Sequence, residues 1–225
     1  MKKTPTVLTL LLIILATYCS FRVLLPQYTE GETVAETQFS TDRALVHVKE
    51  MSKEPHGVGF PAHTTVRNYI IEQLRSLGLE TTLQEGYTAG DWGNLSKAEN
   101  GLARIKGTES GKALLLLSHY DSNPHSAKGA SDAGSGVATI LESIRAFLSN
   151  QTSHENDIII LFTDAEELGL NGAKLFVNEH DWANDVGLVL NFEARGSGGP
   201  SNMIVETNGG NSGLIASFNQ ANVEF

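Results

Sequence analysis

Five side chains suited to metal or acid–base chemistry stand at or just beyond the ends of apolar runs, and a sixth lies in a loop between them. His119 and Asp121 follow Ala113–Ser118 (ALLLLS), Glu166 and Glu167 follow Ile158–Thr163 (IIILFT), and Glu193 follows Gly187–Phe192 (GLVLNF). Asp132 lies in the small-residue loop Gly129-Ala130-Ser131-Asp132-Ala133-Gly134-Ser135-Gly136. Each has an ordinary explanation when taken singly: a satisfied histidine at a strand end, a turn aspartate, acidic residues opening a solvated helix. Taken together they gather one histidine and several carboxylates at one edge of a sheet, where mutual repulsion calls for a cation. With no thiolate among them, the donors suit a hydrolytic zinc site that keeps a position open for water.

The types and spacing also divide the labour. A metal-bound His119 needs its other ring nitrogen oriented, and Asp121, two residues on, is placed to do it. Of the adjacent Glu166 and Glu167, one binds metal and the free one takes the proton of an attacking water. Two metals about 3.5–4 Å apart need a shared ligand, and Asp132 is the candidate bridge.

The elements that must position these residues are legible as periods. Val66, Tyr69, Ile70, Leu74 and Leu77 fall at helical spacing, so Thr64–Leu77 reads as an amphipathic helix stopped by Gly78. Leu79–Gln84 and Leu102–Lys106 read as short strands, and Val137–Leu148 and Gly172–Asn178 as helices. The three apolar runs named above read as buried strands, with a fourth strand suggested at Asn202–Glu206. Buried strands alternating with helices predict a three-layer α/β sandwich with a mostly parallel central sheet flanked by helices. In such a sheet ligands collect at the carboxyl ends of the strands, where the six residues fall.

Composition bounds the rest. The chain has 225 residues, with 16 Lys and Arg against 26 Asp and Glu, a formal charge of -10 that repels phosphate backbones and argues against nucleic acid as partner. The only cysteine, Cys19, lies in the N-terminal apolar run, which excludes an intrachain disulfide and a cysteine zinc site. Lys2 and Lys3 precede that run, which continues to Pro26 and is long enough to span a bilayer. A cleaved signal peptide is the competing reading, but Tyr18-Cys19-Ser20-Phe21 contains no small-x-small cleavage site. The expected organisation is therefore a single transmembrane anchor at 1–26, a polar linker at 27–40 and a catalytic domain at 41–225. The lysines place the N-terminus in the cytoplasm and the domain on the extracytoplasmic side. Asn94-Leu95-Ser96 and Asn150-Gln151-Thr152 are glycosylation sequons, which arise easily by chance.

Four motifs in order extend this reading. His119-Tyr120-Asp121-Ser122, Gly129 through Val137, Asp164-Ala165-Glu166-Glu167-Leu168-Gly169 with Gly172, and Asn191-Phe192-Glu193-Ala194-Arg195-Gly196 resemble the di-zinc aminopeptidase family of the aminopeptidase Y type. Within it, the membrane-bound vacuolar and endoplasmic-reticulum proteases are nearest. The resemblance runs from about Thr41 to the end and includes Pro55-His56-Gly57-Val58-Gly59. It implies a peptide substrate and two zinc ions: His119 and Glu193 hold one, Glu167 the other, Asp132 bridges them, Glu166 is the general base and Asp121 orients His119. Ala133-Gly134 stands where the family often has Asn-Ala, a departure that removes no ligand. The family's second zinc also takes a late histidine, and the chain reaches Phe225 before that point. His154 and His180 precede strands and fall at the opposite edge. The expectation is a C-terminally truncated chain that binds the second zinc weakly and has little activity. Two other readings stand beside an active exopeptidase: a non-catalytic binding or scaffold relative, and a one-zinc acyltransferase resembling glutaminyl cyclase.

Overall fold

A computed structural model describes residues 3–25, 34–194 and 210–220, which form two compact units. In the smaller unit, α1 (Lys3–Leu24) contains an 18-residue window, Pro5–Arg22, whose one charged residue is the terminal arginine and whose mean hydropathy is 1.6, long and apolar enough to cross a membrane. A signal sequence has the same character. The nine-residue α6 (Ser212–Gln220) belongs to this unit also. The strand suggested at 202–206, together with Arg195 and Gly196, lies outside the described residues.

The larger unit is an α/β sandwich. Its elements are α2 (Thr41–Met51), α3 (His63–Ser76), β1 (Thr81–Ala89), β2 (Leu95–Ile105), β3 (Ala113–His119), α4 (Gly134–Ser149), β4 (Ile158–Thr163), α5 (Asn171–Glu179) and β5 (Val186–Asn191). The sheet order is β1-β2-β4-β3-β5. Only β4, β3 and β5 run parallel; β2 pairs antiparallel with both β1 and β4. The sheet is thus mixed rather than mostly parallel. The cause is the two short connections, 90–94 between β1 and β2 and 106–112 between β2 and β3, because a parallel pair needs a crossover of a dozen or more residues, so β2 runs opposite to β1 and to the parallel set that contains β3.

Alternation along the strands divides the core between the two faces of the sheet. Ala103, Ile105, Leu116, Ile160 and Phe162 face α2, α3 and α4, burying Met51, Ile70, Leu74, Val137, Ile140 and Leu141. Leu102, Leu115, Ile159 and Leu161 face the other way, onto Phe176 of α5. Full burial of each large apolar side chain contributes roughly 1.5–3 kcal/mol, so the two clusters hold the carboxyl edge of the sheet rigid beneath the site. β5 is less buried than its apolar run predicts. Its residues alternate between half-buried and exposed, because among the described residues it is one of the two edge strands.

β2 is longer than its apolar portion suggests. The strand begins at Leu95, before Leu102, through polar residues of which Ser96 and Asn100 are buried, their burial satisfied by side-chain hydrogen bonds. The segment before α2 is fastened rather than loose. Arg43 donates to the carbonyls of Val34, Ala35 and Gln38, Arg145 to those of Glu36 and Gln38, and Asn150 to that of Thr37. Behind them the fully buried Glu142 accepts from both arginines and from the Ser40 amide.

Candidate metal centre

β3 and β4 pair up to His119↔Thr163, which sets the start of the histidine motif level with the start of the acidic turn. β5 ends beside β3, where the Phe192 amide donates to the Leu117 carbonyl at 2.8 Å and delivers Glu193 to the same edge. The Asp132 loop is fitted to this junction by close approach. A Cβ on Gly136 would stand 2.4 Å from the Phe192 carbonyl and 2.5 Å from Ser118 Oγ, and one on Gly134 would stand 2.4 Å from the Gly129 carbonyl. Only glycine fits at both positions. The Asp132–Ala133 peptide is cis.

His119, 2% exposed, is the centre of the arrangement. Its Nε2 lies 3.0 Å from Asp132 Oδ1, 3.6 Å from Glu193 Oε1 and 3.9 Å from Glu166 Oε2. One ligand atom each from His119, Asp132 and Glu193 lies within 4.8 Å of the others, close enough for one ion. Glu167 is outside this trio among the described residues; its Oε2 accepts from Asn123 Nδ2 at 2.8 Å. Asn123 is a participant the sequence did not single out, although it continues the histidine motif.

Asp121 does more than its spacing suggested. His119 Nδ1 is 3.0 Å from the Asp121 carbonyl and 3.4 Å from its carboxylate. That carboxylate also accepts from the amides of Glu166, at 3.0 Å, and Glu167, at 3.2 Å. One buried side chain therefore ties the histidine to the acidic turn.

The turn itself is strained. Ala165, Gly169 and Leu170 have φ of 55°, 116° and 61°. A side chain in that left-handed region costs roughly 1–2 kcal/mol, so Ala165 and Leu170 need the surroundings to hold them. From below, the fully buried Asp164 accepts from the Ala165 amide at 2.7 Å, the Glu99 amide at 3.0 Å and His63 Nε2 at 2.7 Å. His63 opens α3, so that helix reaches the site through this pair. His63 and Asn100, whose Oδ1 receives the Asp164 amide, carry no spacing signal in the sequence.

The electrostatics fit a cation. Burial, reinforced by Glu193, Asp121 and Glu167, raises Glu166 to about 6 against the opposing charge of His119. Burial also raises Asp132 and Glu167, with neighbouring carboxylates adding to it. For His119 burial acts downward, but Asp121 and Glu193 outweigh it and raise the imidazole to about 11. A protonated His119 thus does the neutralising that a divalent ion would take over, releasing the proton. The residues present fit such an ion: one imidazole whose other nitrogen is already oriented, and oxygen donors converging on the same point.

A parallel strand edge that gathers a histidine, an aspartate and several glutamates defines the class: a hydrolase-type α/β fold with a donor set fit for a metal ion. Residues 100–225 match peptidase family M28, and the chain belongs to that family. It is 35% identical over 179 residues to a vacuolar membrane protease of Schizosaccharomyces japonicus, covering 74% of this chain and 21% of that protein. It is 31% identical over 210 residues to endoplasmic reticulum metallopeptidase 1-B of Caenorhabditis elegans, covering 83% and 23%. The chain thus spans about a fifth of the length of these relatives. Among solved structures it resembles a Zn-dependent exopeptidase from Parabacteroides distasonis, with 25% identity, TM-score 0.56 and coverage of 65% and 58% of the two chains. It also resembles a glutaminyl cyclase from Porphyromonas gingivalis, with 28% identity, TM-score 0.57 and coverage of 65% and 55%.

Proposed function

We propose that the larger unit is a zinc exopeptidase domain acting as an aminopeptidase, held at a membrane by α1 on the extracytoplasmic side. The observation that carries the reading is the convergence of His119, Asp132 and Glu193 on one point with the Glu166 carboxylate beside it. His119 and Glu193 would hold one zinc, Glu167 the second, and Asp132 both. Zinc, when bound, supplies Lewis acidity toward water and the scissile carbonyl. Glu166 takes a proton from the attacking water as the new C–O bond forms. It returns that proton to the amine nitrogen as the C–N bond breaks, so acid and amine products balance the water consumed. A carboxyl raised to about 6 by burial suits both transfers near neutrality. Asp121 keeps Nδ1 of His119 engaged and Nε2 directed into the site.

The test is Glu166→Gln in the full-length protein. Turnover of peptide substrates is expected to fall by about 10²–10⁴-fold while zinc content stays unchanged. Retained turnover would sink the assignment. The similarity to glutaminyl cyclases supports a second reading, acyl transfer with one zinc. Zinc per chain separates the two, with two ions expected for the peptidase and one for the cyclase-like site.

A further inference from the structure

Asp121 and Asp164 grip the strained acidic turn at its beginning; its end is gripped from a different part of the chain. β2 pairs with β4 only as far as Gly101↔Phe162, so residues 95–100 run on past the carboxyl edge of the parallel strands by roughly 20 Å. β1 pairs with them along the whole projection, and the hairpin stands as a wall beside the site. Ala98 packs in one cluster with Ala165 and Leu175, with Leu168 against it.

The tip of the hairpin closes over the turn through hydrogen bonds. The Asp91 amide donates to the Gly169 carbonyl at 2.8 Å, and Asn94 Nδ2 donates to the Leu168 carbonyl at 2.9 Å. Asn171, fully buried at the head of α5, directs Nδ2 to the Thr88 carbonyl, the Asn94 carbonyl and Ser96 Oγ at 2.8–2.9 Å. At Gly90 a Cβ would stand 2.1 Å from Asn171 Oδ1 and 2.4 Å from the Gly169 carbonyl. The approach admits only glycine. The polar groups of the Asn94-Leu95-Ser96 sequon are thereby engaged with the turn and with α5.

We infer that the hairpin tip, residues 90–94, is a positioning element that fixes Glu166 and Glu167 by holding the far end of their turn, acting through Asn94 and Asn171. The inference rests on the reading of that turn as carrying the general base and a zinc ligand. Among the described residues the hydrogen bonds of the tip reach the turn and α5 rather than the ligand atoms. Its effect is on the backbone from which the two glutamates project, where a displacement near 1 Å costs about 10²-fold in rate.

Asn94→Ala is the mild perturbation, because it removes one partly exposed bond; Gly90→Ala drives a methyl into the contact. Amide hydrogen exchange on the metal-free full-length protein reads the turn directly. Exchange at residues 166–170 is expected to quicken about tenfold in Asn94→Ala and more in Gly90→Ala, while β3 and β4 keep their protection. With zinc, kcat is expected to fall about 10–100-fold with KM within twofold. Unchanged exchange at 166–170 in both variants overturns the inference. So does a loss of protection spread equally over β3 and β4, which marks a general stabilising role. If the wild-type protein hydrolyses no peptide, the peptidase reading fails, and the exchange result still decides whether the tip holds the turn.

Discussion

Replacing Asp121 with asparagine separates a local tether from a mere neighbour of the histidine. The carboxylate is 1% exposed and faces two backbone amides, those of Glu166 and Glu167, as well as His119 Nδ1. Asparagine keeps the shape but turns one of the two acceptors into a donor. Whichever way the amide is placed, an N–H of the acidic turn then confronts an NH₂ group, and a buried donor goes unsatisfied. That costs roughly 1–3 kcal/mol, which in a domain of this size lowers Tm by about 2–12 °C. The loss of orientation at His119 adds a separate effect, a roughly 10–100-fold weakening of zinc binding. Competition against a chelator of known affinity measures the second, and thermal unfolding of the metal-free protein measures the first. The two belong together because one side chain serves both ends. Asp121→Asn with unchanged zinc affinity and a Tm within 1 °C of wild type would refute the tether.

Two further expectations follow from groups outside the metal cluster. For the His63–Asp164 pair, burial pulls the His63 pKa down, but the Asp164 hydrogen bond and charge outweigh it and raise it above 6.5. The stabilisation is therefore fully present below pH 6.5 and fades as pH rises through the higher folded value. His63→Gln should flatten the alkaline decline of unfolding free energy, measured by urea titration of metal-free protein from pH 6 to 9; parallel slopes would count against the pair. Glu142 accepts from Arg43, Arg145 and the Ser40 amide. Glu142→Ala is expected to cost roughly 3 kcal/mol, at the low end for breaking a buried pair because both arginines are partly exposed. Protease cleavage between residues 34 and 40 should quicken in parallel, and resistance there equal to wild type would show that the clamp is not what holds the segment.

The match to peptidase family M28 makes the order of the four motifs intelligible, since three of them lie where β3, β4 and β5 end and the other, Gly129 through Val137, leads from β3 into α4. The chain spans about a fifth of its vacuolar and endoplasmic-reticulum relatives, at 21% and 23%.

What the sequence determined by itself is what local period and residue chemistry encode. ALLLLS and IIILFT specify buried strands because nothing in them tolerates water, and a histidine or carboxylate directly after such a run must emerge at the strand's end. Five of the six candidate residues, all but Asp132, were singled out for that reason, and α3, α4 and α5 were legible by their helical period, whereas α2 was not. The tertiary structure decided everything that depends on long-range pairing. Ser96 and Asn100 hide the length of β2 because their burial is made good by Asn171 and Gly172, more than seventy positions away. The mixed sheet follows from that longer strand and its short connections. His63, Asn94 and Asn123 likewise act through single hydrogen bonds to distant backbone or carboxylate groups, and Asn171 through three contacts of its amide nitrogen. A lone polar residue shows no period, and only the folded chain reveals which acceptor it meets.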